Sequence, residues 1–514
     1  MKLGKASSYG LLMVPLALAT SSCAEQEKVQ TKPNIIFILA DDLGYAELGA
    51  YGQQKIKTPN IDQLASQGIR FTDFYCGSPV CAPSRGVLLT GKHTGHAYVR
   101  NNDEMGATKK NWDFREVIKD PGLEGQRPIP DTIVTVGELM QQAGYRTACV
   151  GKWGLGGPLT EGHPNKQGFD FFYGDMCQRQ GHNYYNLHLW KNDQQVLLDN
   201  EYTPVWTSLD KGSDPNDPAS YKKYTSKEYA PDLMLDESLR FIEQNKANPF
   251  FLYFAPILPH APLQVPADSE FLSYYQEQFD DEEPYLGQRG YFPNRTPHAT
   301  YAAMVSYLDM QVGKLIDKLK EEGLYENTVI MFTSDNGPTF NGGTDSPFFD
   351  SAKPFKSEWG WGKGFLREGG IRVPLIVSWP GVVAPGTQTK QPFAFWDVMP
   401  TLNEIAGLET TVETDGISFL PTLKGEAQSE KEFLYWEFPM KAYGGQQAVR
   451  MGDWKGYRSQ MNDGNLTIQL FNLKADPQEQ QDLASEHPEI VAQIEKIMKQ
   501  EHERSEVHPF PAID

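Results

Sequence analysis

The sequence has little positive charge for its length of 514 residues. It contains 47 Lys and Arg against 67 Asp and Glu, which gives a formal net charge of −20. A nucleic-acid-binding protein needs a basic face to neutralise phosphates, so the composition argues against a nucleic-acid partner. After residue 23, no apolar stretch approaches the length of a membrane-spanning helix.

Cysteine is scarce as well. Five cysteines are too few for a disulfide-rich scaffold, and an odd number cannot all pair, so at least one needs another explanation. Aromatic residues are plentiful in contrast, and 24 Tyr, 27 Phe and 10 Trp exclude a largely disordered chain. The length predicts one large domain plus a smaller one, or two to three units.

Residues 1–23 predict export. A positively charged start, the short apolar run 11–19 and small residues before Cys23 are the order of a secretory signal peptide. A cysteine in that place resembles a bacterial lipoprotein signal, in which Cys23 is lipidated. The other reading is an ordinary cleaved signal with an incidental cysteine. We expect an exported protein, periplasmic or anchored in an outer membrane by its lipid alone, with residues 24–32 as a tether.

Residues 33–427 predict an α/β domain. Short apolar runs that are typical of strands buried on both faces alternate with amphipathic segments, of which 58–68 and 299–323 are the clearest helices. The strand candidates are 35–39, 147–150, 250–255, 328–333 and 373–377. This alternation predicts a large, mostly parallel sheet flanked by helices. Residues 428–514 change in character and predict a smaller C-terminal α+β subdomain, closed by a helix over 486–501.

Polar clusters follow four of the predicted strands. They are Asp41-Asp42, Lys152, His260 and Asp335-Asn336. Each has a local explanation as a helix cap or a turn. However, ligands of parallel sheets bind beyond the carboxyl ends of the strands, where these four clusters converge. The shared position therefore favours a functional site.

The oxygen-bearing clusters predict a metal ion. Asp41, Asp42, Asp335 and Asn336 offer carboxylate and amide oxygens, and the acids would repel one another without a cation or basic side chains nearby. Hard divalent cations prefer such ligands, and the set lacks the soft residues that zinc or copper would favour. We expect Ca²⁺ or Mg²⁺ rather than zinc or copper.

Cys81 lies in a segment interrupted by prolines, which predicts a loop, and Arg85 follows four residues later. A nearby cation lowers the pKa of a thiol and raises its reactivity. The alternative is a half-buried structural cysteine, which is the usual state of a free cysteine in proteins.

The segment Cys81-Ala82-Pro83-Ser84-Arg85 resembles the maturation motif of the sulfatase family, which belongs to the alkaline-phosphatase-like superfamily. Further matches follow in order from about residue 33 to residue 380. They are Asp41-Asp42-Leu43-Gly44-Tyr45, Leu89-Thr90-Gly91, Gly151-Lys152-Trp153, Pro259-His260, Ser334-Asp335-Asn336-Gly337, Gly362-Lys363-Gly364 and the run 368–374. Glu47 stands where the family usually has Asp, and Lys92 stands where Arg is commoner.

This resemblance implies an alkaline-phosphatase-like fold and a sulfate ester hydrolase. It implies that a formylglycine-generating maturation enzyme oxidises Cys81 to formylglycine (3-oxoalanine), whose hydrate is the nucleophile. The implied calcium ligands are Asp41, Asp42, Asp335, Asn336 and the converted Cys81. Arg85, Lys152 and Lys363 would stabilise the sulfuryl oxygens, and His260 or Lys363 would protonate the leaving group. Asp335 would help to deprotonate the attacking hydroxyl.

One position departs from the family pattern. The family commonly has His two residues after the first lysine, and this chain has Gly154. His182 is a candidate to occupy the same space or to bind the substrate, with a structural histidine as the alternative. Arg100, like His93 and His96, follows the nucleophile segment closely and is a second substrate-binding candidate, although a structural role is favoured for all three.

The expected substrate is a sulfated carbohydrate. Residues 151–157 and 177–185 resemble bacterial sulfatases that act on galactose-type or N-acetylgalactosamine sulfates. Tyr184, Tyr185, Trp359 and Trp361 are either an aromatic pocket wall or core residues. Two other functions stay open, namely a phosphonate monoester hydrolase or phosphodiesterase of the same superfamily, and a non-catalytic glycan-binding lipoprotein with an unmodified Cys81.

Overall fold

A computed structural model describes residues 1, 3–8, 32–104, 113–279 and 282–514. Lys32–Asp514 form one compact unit. Cys23 and most of the predicted signal peptide and tether lie outside the described residues, so export and lipidation stay predictions. Within the described ranges, no helix combines the length and the apolar composition needed to cross a bilayer.

A ten-stranded sheet forms the centre of the described chain. In spatial order its strands are β11 (Thr387–Thr389), β2 (Ile69–Phe71), β10 (Leu375–Ser378), β9 (Thr328–Ser334), β1 (Asn34–Ala40), β8 (Phe250–Ala255), β4 (Arg146–Lys152), β5 (Phe171–Asp175), β6 (His188–Lys191) and β7 (Gln194–Leu197). Strands β3 (Phe74–Tyr75) and β12 (Phe393–Ala394) pair separately.

The five central strands are parallel, but the sheet as a whole is mixed. Strands β9, β1, β8, β4 and β5 run in one direction, and they carry four of the predicted apolar runs. The fifth run, predicted over 373–377, corresponds to β10, which pairs antiparallel with both β9 and β2. The expectation of an α/β fold is confirmed, and parallel pairing covers the five central strands and the edge pair β11–β2.

Helices cover both faces of the sheet. The helices of the described residues, in chain order, are α1 (Pro59–Ser66), α2 (Cys81–Thr90), α3 (Phe114–Val117), α4 (Val136–Gln142), α5 (Ala230–Asn245), α6 (Glu270–Gln278), α7 (Pro297–Glu321), α8 (Glu368–Ile371), α9 (Val398–Ile405), α10 (Leu420–Lys424) and α11 (Pro488–Gln500). Alternate residues of β1 enter opposite layers, because successive side chains of a strand point to opposite faces. Ile35 and Phe37 pack with α2, α4 and α9, while Ile36 and Ile38 pack with α1, α5 and α7.

A second, antiparallel sheet follows in the C-terminal part. It consists of β13 (Leu434–Phe438), β14 (Gln446–Met451), β15 (Trp454–Ser459) and β16 (Gln469–Asn472). Ile494 and Met498 of α11 pack against this sheet with Val449. The buried Glu368 of α8 joins the two sheets, because the Nζ of Lys455 on β15 lies 2.9 Å from its Oε1.

Candidate active site

The register of the central sheet brings the predicted polar clusters together. Ala40 at the end of β1 pairs with Ser334 at the end of β9, so the next residues of both strands are neighbours. The backbone amide of Asp42 donates to Asp335 Oδ1 at 3.1 Å, and Lys152 ends β4 on the same edge. All of these side chains are buried.

Two lysines neutralise the adjacent aspartates. Lys152 Nζ lies 2.6 Å from Asp41 Oδ2, and Lys363 Nζ lies 2.6 Å from Asp42 Oδ1. Burial alone would raise the pKa of Asp41, but Lys152 and other nearby cations hold it well below its ordinary value. Asp42 has a φ of 63°, so its carboxylate is aimed into the cluster by an uncommon backbone conformation.

The loop that carries Lys363 is fastened at two points. The Lys363 amide donates to the Pro338 carbonyl at 3.1 Å, and the Gly364 amide donates to the Pro79 carbonyl at 2.8 Å. These bonds tie the loop both to the chain beyond β9 and to the segment before Cys81. The position of the ammonium group is therefore fixed relative to both.

Arg85 holds Asp335 from the opposite direction. Its Nε and Nη2 donate to Asp335 Oδ2 at 3.0 and 2.9 Å, and its Nη1 donates to the Lys152 carbonyl at 2.7 Å. Burial and the neighbouring Asp41 raise the pKa of Asp335 to about 7, although Arg85 opposes the shift. The guanidinium thus links helix α2 to the ends of two strands.

Cys81 is the first residue of helix α2 rather than part of a loop, which corrects the sequence-based expectation. Pro83 is accepted in the first turn because the amide that it lacks has no partner within the helix there. Cys81 Sγ lies 3.4 Å from Asp41 Oδ1 and 3.6 Å from Lys363 Nζ.

The environment of the thiol also differs from the expectation of a lowered pKa. Burial raises the pKa of Cys81, and Asp335 and Asp41 add to this effect more than the lysines oppose it. A cation near a thiol therefore does not make it acidic when carboxylates are closer. The geometry favours a role for position 81 that does not depend on the free thiolate.

The ligand set fits a hard divalent cation. The Asn336 Nδ2 donates to Asp42 Oδ1 at 2.8 Å, while its Oδ1 is buried and has no hydrogen-bond partner among the described residues. Donor atoms of Asp41, Asp42, Cys81 and His260 lie within 4.8 Å of one another. A buried amide oxygen beside buried carboxylates is the chemistry that Ca²⁺ or Mg²⁺ prefers.

His260 and His182 form a stacked pair beside this cluster. Their ring centroids are 4.9 Å apart with an interplanar angle of 7°, and His260 Nε2 lies 3.6 Å from Asp42 Oδ2. Burial lowers the pKa of both rings well below the ordinary value, and nearby cations contribute. Both histidines are therefore brought to the site, and His182 lies in the segment after β5, a strand that was not predicted from the sequence.

The structure also shows what fills the place of the histidine missing at position 154. Gly154 has a φ of 82°, and a Cβ built there would lie 2.8 Å from Gln178 Cγ and 3.2 Å from Gln126 Oε1. The two glutamines, rather than His182, take this space. His182 approaches the cluster through His260 instead.

Arg100 does not join the cluster, contrary to its selection as a substrate-binding candidate. Its buried guanidinium donates to Glu437 Oε1 at 2.6 Å and to the carbonyls of Ala97 and Glu503. A buried charge that is already paired is held in place by the partner that neutralises it. The residue joins the chain after α2 to the C-terminal sheet.

His93 and His96 make similar links. His93 Nε2 lies 3.1 Å from Glu501 Oε2, and His96 Nδ1 lies 3.0 Å from Asp415 Oδ2. Glu47, which stands where the family usually has Asp, is fixed by the Gly44 amide and the Tyr301 hydroxyl at 2.7 and 2.6 Å. The Glu47 carboxylate is therefore hydrogen-bonded next to the cluster and is not one of its members.

Two tyrosines at the site were not predicted from the sequence. Tyr291 contacts the rings of His182 and His260 edge-on, at centroid distances of 5.3 and 6.0 Å. Tyr443 packs on Gly364, where a Cβ would lie 2.1 Å from its Cε1, and therefore lies beside Lys363. Neither tyrosine belongs to a motif, and only the folded chain brings them here.

Solved structures resemble this architecture. The crystal structure of Ps i-CgsB in complex with k-i-k-neocarrahexaose matches with a TM-score of 0.72 and 28% identity, covering 94% of both chains. A large mixed sheet, flanking helices and a carboxylate cluster at the strand ends define an enzyme of the alkaline-phosphatase-like class.

Sequence comparisons place it within that class. A model of the sulfatase family matches residues 33–408, and one described as the C-terminal region of N-sulphoglucosamine sulphohydrolase matches 357–506. Human N-acetylgalactosamine-6-sulfatase is 29% identical over 506 residues, covering 92% of this chain and 86% of its own. Human arylsulfatase A is 32% identical over 454 residues, with coverages of 84% and 75%. The chain belongs to the sulfatase family of sulfuric ester hydrolases.

Proposed function

We propose that the protein hydrolyses sulfate esters of carbohydrates at position 81, after conversion of Cys81 to formylglycine and with a bound Ca²⁺. The observation that carries this proposal is the position of Cys81. It begins a buried helix, with its Sγ 3.4 Å from Asp41 Oδ1 and 3.6 Å from Lys363 Nζ. A substrate that reaches this atom meets the acidic cluster and the lysine together.

Two groups would be added to the encoded chain. A formylglycine made from Cys81 by a maturation enzyme would supply an aldehyde hydrate as the nucleophile. A Ca²⁺ held by Asp41, Asp42, Asp335 and Asn336 would polarise the sulfuryl oxygens as a Lewis acid. The orphaned Asn336 Oδ1 supports this choice of ligands.

The charges of the protein itself prepare the site for an anion. The carboxylates of Asp41, Asp42 and Asp335 are matched by Arg85, Lys152 and Lys363, so three negative charges meet three positive ones. A divalent cation would make this otherwise balanced cluster positive. Fixed charges aimed at the sulfuryl oxygens need no reorganisation during the reaction.

His260 is placed to protonate the leaving oxygen. Its Nδ1 contacts the Ala261 carbonyl, which keeps a proton on Nδ1 and turns Nε2 toward the cluster. Lys363 is fixed against Asp42 by two contacts below 3 Å and serves to hold the sulfate group. The lowered pKa of His260 leaves its ring neutral and its Nε2 without a proton in the free protein. We therefore assign the general acid to His260 after it gains a second proton, which the negative charge of a bound sulfate group would favour, and we assign sulfate binding to Lys363.

The substrates and ligands named for similar proteins support a substrate class for this one. N-acetylgalactosamine-6-sulfatases and a structure holding a neocarrahexaose are among the similar proteins. We propose a galactose-type or N-acetylgalactosamine sulfate, with His182 contacting the sugar. We also propose export to a bacterial envelope, on the basis of the predicted signal peptide, with Cys23 as the residue that would carry a lipid.

The decisive test is the Cys81→Ala variant. We expect it to fold as the wild type does and to lose turnover of N-acetylgalactosamine 6-sulfate, while mass spectrometry of the wild type detects an aldehyde at position 81. Cys76→Ser is the matched control, because Cys76 is equally buried but its Sγ donates to the backbone carbonyls of Ser78 and Gly370. Full activity in Cys81→Ala, faster cleavage of a phosphate diester, or a persistent thiol in the native host would overturn the proposal.

A further inference from the structure

Two tryptophans on the surface are far more exposed than the other large aromatic residues of the described chain. Trp206 retains 56% of its accessible surface and Trp359 retains 60%, whereas Tyr184 and Tyr185 are buried in the core. Single exposed apolar side chains are common, but an exposed indole that is held rigidly beside an active site offers a flat apolar face to a ligand. Each of these tryptophans connects to the active site through one tyrosine.

The first connection runs through Tyr291. Trp206 stacks on Tyr291 with centroids 5.4 Å apart and an interplanar angle of 24°, and Tyr291 contacts the rings of His182 and His260. Lys363 and Asp42 both influence the pKa of the Tyr291 hydroxyl, which burial raises. Trp206 therefore lies one ring beyond residues that border the cluster.

The backbone beneath Trp206 is shaped to hold it. A Cβ at Gly290 would lie 2.3 Å from Trp206 Cζ3, so only glycine admits the indole there. Tyr291 has a φ of 62°, a conformation that is costly for a bulky side chain. More than half of the Trp206 surface is exposed, and the indole borders an open cavity of about 430 Å³ that is lined also by Pro204 and Val205.

The second connection runs through Tyr443. Trp359 lies 6.1 Å from Tyr443 at an interplanar angle of 31°, and it meets Phe340 and Phe365 edge-on at 4.4 and 5.2 Å. Tyr443 packs on the glycine that follows Lys363, and Lys363 lowers the pKa of the Tyr443 hydroxyl, which burial raises. Three aromatic neighbours fix the orientation of the exposed indole.

We propose that Trp206 and Trp359 are carbohydrate platforms that stack against the pyranose rings next to the sulfated unit, so that the enzyme acts on sulfated oligosaccharides in preference to monosaccharides. This inference rests on the proposed sulfatase function. A flat indole face suits the apolar face of a pyranose, and a neutral platform suits a protein whose net charge of −20 disfavours a broad anionic contact.

The test compares Trp206→Ala and Trp359→Ala on two substrates that carry the same sulfated unit. These are N-acetylgalactosamine 6-sulfate and a chondroitin 6-sulfate hexasaccharide. We expect kcat/KM for the hexasaccharide to fall about tenfold in each variant, which corresponds to the loss of one aromatic contact, with the monosaccharide value unchanged. Leu197→Ala, an exposed apolar residue on the edge strand β7, is the control and should change neither value.

Three results would contradict the proposed role of the two tryptophans. They are an equal loss on both substrates, no loss on either, and unchanged affinity of the tryptophan variants for the hexasaccharide. That affinity is measured by titration calorimetry in the inactive Cys81→Ala background, and absence of binding there also counts against the platforms. A wild-type enzyme that carries formylglycine yet cleaves neither substrate, while calorimetry shows tryptophan-dependent binding, would instead contradict the proposed activity alone.

Discussion

At the scale of single residues, the site depends on backbone positions that admit no ordinary side chain and on rings whose tautomers are fixed. Gly154 is the clearest example of such a backbone position. Its left-handed φ and the proximity of Gln178 leave no space for the histidine common in the family. His260 is the clearest example of a fixed tautomer, because its Nδ1 contacts the Ala261 carbonyl and its Nε2 faces the acidic cluster.

Replacing Gly154 with alanine should therefore destabilise the protein in two ways. The left-handed conformation costs roughly 1–2 kcal/mol for a residue with a Cβ, and displacing Gln178 costs roughly 1–3 kcal/mol more. Gly144→Ala is the matched control, since Gly144 has a φ of 85° but no atom within 4 Å of its Cβ position. Denaturant unfolding should show a larger loss for Gly154→Ala, and equal losses would refute crowding at this position.

Replacing His260 should affect substrates according to their leaving groups. Without a proton donor, kcat/KM for a sugar sulfate should fall roughly 10²–10⁴-fold, but far less for nitrophenyl sulfate, whose phenolate leaves without protonation. Lys363→Ala should lower both rates, because we propose that Lys363 binds the sulfate group itself. Steady-state kinetics on the two substrates test this prediction. Equal losses of kcat/KM on both substrates in His260→Ala would show that another residue is the general acid.

At the scale of elements, the short helix α8 joins the two sheets. The buried carboxylate of Glu368 meets Lys455 at 2.9 Å, Arg372 at 3.1 Å and the Tyr75 hydroxyl at 2.8 Å. Burial alone would raise the pKa of Glu368, but Lys455, Arg372 and Arg450 lower it to about 2. One ionised carboxylate thus contributes to this interface, beside apolar side chains of the C-terminal sheet, such as Trp436 and Phe471, that share a core with the central sheet.

This interface should weaken in acid. The pKa of Glu368 in the folded chain lies below its ordinary value of 4.5, so the stability it contributes is complete above pH 4.5 and declines as the pH falls toward 2. Glu368→Gln should cost about 3 kcal/mol at pH 7, and the difference from the wild type should narrow below pH 4.5.

The measurement is the free energy of unfolding of both proteins between pH 3 and 7. Glu409→Gln, on the exposed surface, should remain within about 0.5 kcal/mol of the wild type throughout. A Glu368→Gln difference that stays constant with pH would show that the contribution of this carboxylate is not ionic.

At the scale of the whole molecule, a formally acidic protein holds a site for anions. The net charge of −20 is spread over the chain, and distant charges are screened beyond roughly 8–10 Å. Arg85, Lys152 and Lys363 come from a helix, a strand and a loop that are far apart in sequence, and each lies within 3 Å of a carboxylate of the cluster. Affinity for sulfate is therefore a local property that overall composition does not reveal.

Calcium binding should consequently stabilise the whole fold. At a free Ca²⁺ concentration 100 times the Kd, the gain is about 2.7 kcal/mol, which a chelator should remove in thermal unfolding. Asp42→Asn should abolish this response. Glu47→Gln should keep it, because the Glu47 carboxylate is bound to Gly44 and Tyr301 instead of the cluster. An undiminished calcium response in Asp42→Asn would contradict the assigned ligands.

The amino-acid sequence by itself determined the α/β class, the central strands and the polar residues that follow them. Apolar runs and strand-end motifs are local patterns, so β1, β8 and β9 were predicted nearly to the residue. Strands that lack a comparable apolar run, such as β14 (Gln446–Met451), were not predicted individually.

Only the tertiary structure decided which side chains meet. The antiparallel direction of β10, the helical state of Cys81, the raised pKa of its thiol and the separation of Arg100 from the cluster all depend on distant partners. Tyr291, Tyr443, Trp206 and Trp359 reach the site through contacts between segments far apart in the chain. Local sequence fixes the chemistry of each residue, whereas burial and proximity, which set its charge and its neighbours, arise only when the whole chain packs.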